Sequence, residues 1–328
     1  MQTRKLGPFD VSALGLGCMS MSHGYGTPDE AEAIQTLNKS LDLGYTMLDT
    51  AALYGFGKNE TLLGKALKSR RDEYVLASKC GIFCNEDGKR VIDGRPEVIR
   101  KTCEDALKRL QTDVIDLYYL HRYDKKIPIE ESVGALSDLV SQGKIKTIGL
   151  SECSADTLRK AHKVHPITAL QTEYSLWTRN PEITVLDACR ELGVTFVAFS
   201  PLARGFLTGK IHSSDQFEAG DLRNNMPRFQ GDNLQQNLKL LGRYEEIAQE
   251  NNCTMSQLAL AWVLAQGNDI VPIPGTWHVK YAEENAAAAD IKLSPEVLAE
   301  LDQLINQKTV VGGRYAPATQ AEIDTEEF

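Results

Sequence analysis

The chain has 328 residues, and 36 Lys and Arg against 45 Asp and Glu leave a formal net charge of −9. That balance argues against nucleic acid as a partner, because nucleic-acid binding rests on basic patches, and no apolar run approaches the roughly 18 residues of a membrane span. The first residues lack the apolar stretch of a secretory leader, and the seven cysteines are scattered without a C-x-x-C pair or a Cys/His cluster, so reduced thiols, a cytoplasmic location and no metal centre are expected.

At roughly 150 residues per domain the length suggests two domains. No composition shift divides the chain, however, and one alternating pattern runs through it. Thr3–Leu6 and Val11–Ala13, with Gly7-Pro8 between them, predict a small hairpin over 3–13. Apolar runs then follow at Leu14–Gly17, Met47–Asp49, Val75–Lys79, Val114–His121, Lys146–Ser151, Thr168–Gln171, Thr195–Ser200 and Ile270–Pro272. They lack polar alternation, as strands buried on both faces do. Between them lie helical patterns. Asp29 or Thr27 caps the first, with Ala33, Ile34, Leu37 and Leu41 on one face. Others run from Asn59, Pro96, Ile129, Ser154, Pro181, Thr254 and Val279, and Ser294-Pro295 opens a last one ending near Asn306. About eight strands alternating with helices predict a single α/β domain, a (β/α)8 TIM barrel over 14–306. Leu207 to about Asn233 is expected to be an inserted lid loop, and 307–328 a C-terminal loop, its acidic end solvated.

In such a barrel, function sits at the C-terminal ends of the strands. The second run ends in Asp49, with Tyr54 just beyond it, the third in Lys79 and the fourth in His121. A tyrosine has a pKa near 10, and a neighbouring ammonium lowers it. Lys79 can supply that charge, Asp49 can hold Lys79 by ion pairing, and His121 can orient a carbonyl oxygen. The set suits carbonyl reduction, in which carbon receives hydride while oxygen receives a proton.

These residues, with L-D-T-A-A-L-Y-G (48–55), D-L-Y-Y-L-H (116–121), G-K-I-K-T-I-G-L-S (143–151) and S-P-L-A-R-G-F-L-T-G (200–209), resemble the aldo-keto reductases. The similarity spans roughly residues 3–307 and is nearest to a branch described as pyridoxal or broad-range aldehyde reductases. It implies NADP(H) bound without a Rossmann fold. Consistently, Gly15-Leu16-Gly17-Cys18-Met19-Ser20 lacks the third glycine of the dinucleotide fingerprint. By that resemblance Tyr54 is the general acid, Lys79 its tuner, Asp49 the partner of Lys79, and His121 the orienting group. Gly17, Cys18 and Met19 would pass the nicotinamide, and Ser151, Glu152 and Gln171 would meet its carboxamide. Phe199 would stack on the ring. Ser200, Pro201, Leu202, Arg204 and Gly205 would surround the pyrophosphate. Gly275, Thr276, Trp277, His278, Lys280, Glu284 and Asn285 would meet the adenosine end. Trp277-His278 stands where relatives often carry two basic residues, so NADPH preference is expected to be weakened, or NADH admitted.

Tyr25, Phe83, Arg122, Trp177, Phe229 and Tyr315, beside Tyr54 and His121, are the expected contacts to a small carbonyl substrate. An alternative is a redox-sensing regulatory subunit of the same fold with little or no turnover. A glycosidase using Asp49 and Glu152 as paired acids would leave the Tyr, Lys and His without a purpose. The oligomeric state is not legible in the sequence.

Overall fold

The structure is a computed structural model that describes residues 1–85 and 89–328. Among these, twelve strands form three sheets. β1 (Thr3–Leu6) and β2 (Phe9–Ser12) pair antiparallel as the leading hairpin. The strands β3 (Leu16–Gly17), β4 (Met47–Asp49) and β5 (Val75–Cys80) follow. A second hairpin, β6 (Ile82–Cys84) with β7 (Arg90–Ile92), is not anticipated by the sequence pattern. The series continues with β8 (Ile115–Leu120), β9 (Ile145–Ser151), β10 (Ile167–Glu173), β11 (Thr195–Phe199) and β12 (Ile270–Ile273).

The eight strands other than the hairpins lie in one parallel sheet, in chain order. A parallel bridge between Gly17 and Gly275 joins the first of them to the last, and Gly15 and Gly17 donate backbone N–H to Pro272 and Pro274 at 3.0 and 3.1 Å. The sheet is thereby closed into a barrel. Helices cover its outside and residues fill its inside, which is why the strands are largely apolar and lack a regular polar alternation.

The interior is a separate apolar cluster of Met47, Ala77, Leu117, Tyr119, Ala169, Val197, Val271 and Ile273. Leu6 and Val11 of the hairpin belong to the same cluster and are fully buried. The hairpin therefore plugs the N-terminal mouth of the barrel, and catalysis is confined to the other end. Truncating such a side chain removes its transfer energy and leaves a cavity. Leu6→Ala is expected to lower unfolding stability by ~2–5 kcal/mol, read from the urea midpoint, with KM for substrate unchanged.

Helix starts follow local chemistry. Asp29, Ser154, Thr254 and Ser294 each accept from the backbone N–H of the third residue on, at 2.8, 3.3, 3.2 and 3.3 Å. The segment after β11 is less loop-like than expected. It is a chain of short 3-10 turns from Ser214 to Phe229, followed by helices Gly231–Leu238 and Leu241–Glu250.

The acidic tail is also ordered. Asp324 Oδ2 accepts from the Ser154 N–H at 3.2 Å and from the Thr157 hydroxyl at 2.7 Å, and Glu326 Oε1 accepts from the Ala155 N–H at 2.8 Å. Two carboxylates thus meet the positive end of helix Ala155–Val164. The expectation of a solvated tail fails because the tail's charges are spaced to reach these unpaired donors.

Candidate active site

Side chains alternate along a strand, so the residue two positions beyond an inward-facing one also faces inward. Met47, Ala77, Tyr119, Ala169 and Val197 belong to the barrel interior. The next inward positions are Asp49, Lys79, His121, Gln171 and Phe199. The site is therefore the uppermost layer of the barrel filling, with polar groups replacing apolar ones. Tyr54 joins it from the loop after β4. Asn59, fully buried, holds that loop by accepting from the Thr50 hydroxyl at 2.6 Å and donating to Cys18 O and Ser22 Oγ, both at 2.8 Å.

Lys79 is 1 % exposed. Its ammonium ion-pairs with Asp49 Oδ1, donates to Thr50 O at 2.9 Å and reaches the Tyr54 hydroxyl at 3.2 Å. Asp49 Oδ2 accepts from Gln171 Nε2 at 2.7 Å. The His121 ring meets the Tyr54 ring edge-on at 5.8 Å, and the His23 ring lies nearly parallel to it at 6.3 Å.

The electrostatics correct one expectation. Burial raises the Tyr54 pKa by more than Lys79 lowers it, so the net direction is upward from 10. Tyr54 therefore stays protonated at neutral pH, as a proton donor must. Burial lowers the His121 pKa well below 6.5, assisted by Arg122 and Lys79. His121 is a neutral hydrogen-bonding group at neutral pH. For Lys79, burial works against the charge, but Asp49 and Tyr54 outweigh it and the net direction is upward.

Above this layer lies a cavity of about 810 Å³. Gly17, Met19, Asp49, Ser151, Gln171 and Phe199 line its floor. Ser200, Pro201, Leu202, Arg204 and Gly205 form one wall, and Gly275, Thr276, Trp277, His278, Glu284 and Asn285 form the far end. Tyr54, His121 and Arg122 mark the near end, and Tyr25 and Tyr315, both within reach of Arg204, also line the cavity. Left-handed φ at Ser200 (50°), Ala203 (50°) and Arg204 (55°) bends the wall sharply after β11. The pattern is a long trough with a polar floor and a reactive tyrosine at one end.

The sequence profile of the Aldo/keto reductase family matches residues 13–306. The chain belongs to the aldo/keto reductase family. Its members' chemistry, reduction of carbonyl compounds by an oxidoreductase, is the chemistry of this barrel. The chain is 46% identical over 327 residues to a Schizosaccharomyces pombe protein named aldo-keto reductase yakc, with NADP(+) in its name, covering 98% of this chain and 96% of that one. It is similar in structure to a glycerol dehydrogenase from Gluconobacter oxydans, with a TM-score of 0.86, 29% identity and coverage of 96% and 98%. It is also similar to an aldo-keto reductase from Klebsiella pneumoniae solved with NADPH, with a TM-score of 0.73, 28% identity and coverage of 96% and 98%. None of these relatives is named as a regulatory subunit.

Several expected site residues of this aldo/keto reductase lie elsewhere. Trp177 and Phe229 are buried under the lid, not in the trough. Trp177 stacks on Phe206 at 4.1 Å and meets Phe229 edge-on at 5.1 Å, so the aromatics anchor the lid, and Phe217, Leu222 and Met226 line the cavity instead. Phe83 pairs with Val91 across the second hairpin, and the pleat turns Arg90 to the cavity in its place. Cys18 is fully buried and does not line the cavity; its carbonyl accepts from Asn59 at 2.8 Å instead. Lys280 stands off the trough with its ammonium over the Tyr281 ring at 4.7 Å, whereas Lys210 lines the trough at 3.9 Å from that ring.

Glu152 is turned away from the carboxamide position by an ion pair. Its carboxylate oxygens both accept from Arg314 Nη2 at 2.9 Å, and Oε1 also accepts from the Glu173 N–H at 3.0 Å. Arg204 likewise donates to Glu173 Oε2 and to the Tyr315 hydroxyl, both at 2.8 Å, so its charge is balanced inside the protein. This buried cluster of Glu152, Glu173, Arg204 and Arg314 ties the C-terminal loop to the wall of the trough. The sequence reading misses Glu173, although it is the next inward position after Gln171. Arg228 continues the link, donating to Trp177 O at 2.6 Å and to the Thr178 hydroxyl at 2.8 Å.

Proposed function

We propose that the trough binds NADP(H) with its nicotinamide on the barrel floor, and that Tyr54 protonates the oxygen of an aldehyde or ketone held at the near end. The observation that carries the reading is the buried chain Gln171–Asp49–Lys79–Tyr54, which places one protonated phenol beside an open cavity. The floor suits a nicotinamide. Ser151 is 1% exposed and Gln171 2% exposed, and both line the cavity. Gln171 donates to Asp49 and keeps its carbonyl oxygen for a carboxamide N–H. Phe199 lines the cavity there and supplies the aromatic ring that stacking requires. When bound, the reduced nicotinamide supplies hydride to the carbonyl carbon. Tyr54 gives its proton to the carbonyl oxygen, Lys79 stabilises the phenolate left behind, and neutral His121 donates a hydrogen bond that orients that oxygen. Asp49 keeps Lys79 charged. The same residues serve alcohol oxidation in reverse. The names of the S. pombe and K. pneumoniae relatives favour NADP(H) over other nucleotides.

The adenosine end tempers that preference. The His278 Nδ1 lies 2.7 Å from Glu32 Oε1, and the Trp277 ring leans on His278 at 3.7 Å. Neither is a free cation for a 2′-phosphate, which leaves Lys210 as an exposed base lining the trough near Tyr281. One charge-assisted bond supplies ~1.5–3 kcal/mol. The kcat/KM ratio of NADPH to NADH is therefore expected below about 100-fold, and Trp277→Lys should raise it. A parent ratio well above that value, unaltered in Trp277→Lys, would contradict this account of the adenosine end.

The test of the reading is NADPH oxidation followed at 340 nm with 4-nitrobenzaldehyde, methylglyoxal and pyridoxal. Turnover above that of Tyr54→Phe is expected. NADPH binding with no turnover on any of the three would contradict it.

A further inference from the structure

The near end of the cavity carries more positive charge than the reduction of a neutral carbonyl requires. Lys79 is matched by Asp49, and Arg90 by Glu322. Arg122, 8% exposed and in the cavity wall, is matched by no carboxylate among the described residues. Its Nη1 donates to His121 O at 2.7 Å and to Ser151 Oγ at 3.3 Å. Its Nε is buried without a partner, and its Nη2 has no hydrogen bond to any described residue. Burying a guanidinium without a paired carboxylate is costly, and among the described residues only two neutral acceptors, His121 O and Ser151 Oγ, offset that cost.

The vacant edge has a known complement within this same chain. Arg95 grips Asp93 through Nε and Nη2 at 2.9 and 2.6 Å, and Arg223 grips Asp221 through the same pair of nitrogens at 2.9 and 2.6 Å. A side-on pair of parallel N–H donors matches the two oxygens of a carboxylate. At Arg122 that pair is left over beside His121, within the wall of the substrate end.

We propose that Arg122 recognises the carboxylate of the substrate, and that the preferred substrates are aldehydes bearing a carboxylate a few bonds from the carbonyl. This rests on the reading of the trough as a carbonyl-reduction site. The carboxylate meets Nη2, which needs no displacement of a protein partner, and turning the guanidinium toward the cavity brings Nε into the grip. A neutral aldehyde leaves the Arg122 edge unsatisfied, so discrimination arises from the unmet donor as well as from the bond formed.

The test compares 4-oxobutanoate with butanal, which share a four-carbon aldehyde and differ in the terminal carboxylate. With NADPH, kcat/KM for 4-oxobutanoate should exceed that for butanal by at least about 30-fold, carried by KM, as ~2 kcal/mol for a charged hydrogen bond implies. In Arg122→Gln the acid-to-neutral ratio should collapse toward one, and Arg122→Lys should restore part of it. A parent ratio near one, or an Arg122→Gln variant that slows both substrates equally, would overturn the proposal and leave Arg122 as a positioning residue for His121 and Ser151. Oxidation of NADPH with butanal at any rate upholds the underlying reading, so the two failures are separable. A second measurement needs no variant. Butanoate should compete with butanal in the parent protein and butanamide should not; equal competition by the two would overturn the proposal.

Discussion

Tyr54→Phe should lower kcat for a neutral aldehyde by roughly 10²–10⁴-fold, the range that a positioned general acid contributes, while KM changes little. The substitution keeps the ring that His121 meets edge-on at 5.8 Å and removes only the hydroxyl 3.2 Å from the Lys79 ammonium. The developing alkoxide then loses its proton donor, and His121 can supply only a hydrogen bond. The cofactor's own binding should be almost unaltered, because its expected contacts are Ser151, Gln171 and the wall after β11. A stopped-flow comparison of NADPH binding and turnover separates the two. A variant that binds NADPH normally and turns over at the parent rate would remove Tyr54 from the chemistry.

The second large effect concerns stability. Arg314 is 4% exposed and bonds Glu152, fully buried, and Glu173, 4% exposed. Arg314→Ala leaves Glu152 buried without its cation and should lower unfolding stability by ~3–5 kcal/mol. The pH dependence follows from the same cluster. Burial alone would raise the Glu173 carboxyl, but Arg204, Arg314 and Arg228 together hold it at about 2. The unfolded value is about 4.3. The depressed group therefore contributes stability above about pH 4.3, and that contribution is lost as pH falls toward 2. Without Arg314 the Glu173 pKa should rise and acid unfolding should begin at higher pH. Acid titration followed by circular dichroism reads this. An unshifted acid midpoint in Arg314→Ala would show that Arg204 and Arg228 alone hold the charge.

The strand pattern and the reactive layer are both legible in the residues for one reason. Along β4, β5, β8 and β10 the inward positions are apolar until the top of the barrel, where Asp49, Lys79, His121 and Gln171 break the run. A polar residue at that register has nowhere to go but the top of the barrel. The same rule reaches Glu173, two positions beyond Gln171 and still within β10. What composition and spacing do not disclose is how charges pair across distant segments. Glu152 looks like a carboxamide contact until Arg314, 162 residues away, is seen to hold it. Trp177 and Phe229 look like substrate aromatics because they lie in loops, yet their rings pack on each other and on Phe206. The acidic tail reads as solvent-facing because nothing local to it needs a carboxylate, whereas the helix start at Ala155 does. In each case the deciding partner lies far along the chain.

The most direct test of the central claim follows the hydride itself. Incubation with NADPH carrying deuterium at the transferring position and 4-nitrobenzaldehyde should give 4-nitrobenzyl alcohol with one deuterium on its carbinol carbon. That product should be formed by the parent protein and be nearly absent with Tyr54→Phe. NADPH that binds in the trough without giving up deuterium to any aldehyde would contradict the assignment of this cavity as a carbonyl-reducing active site.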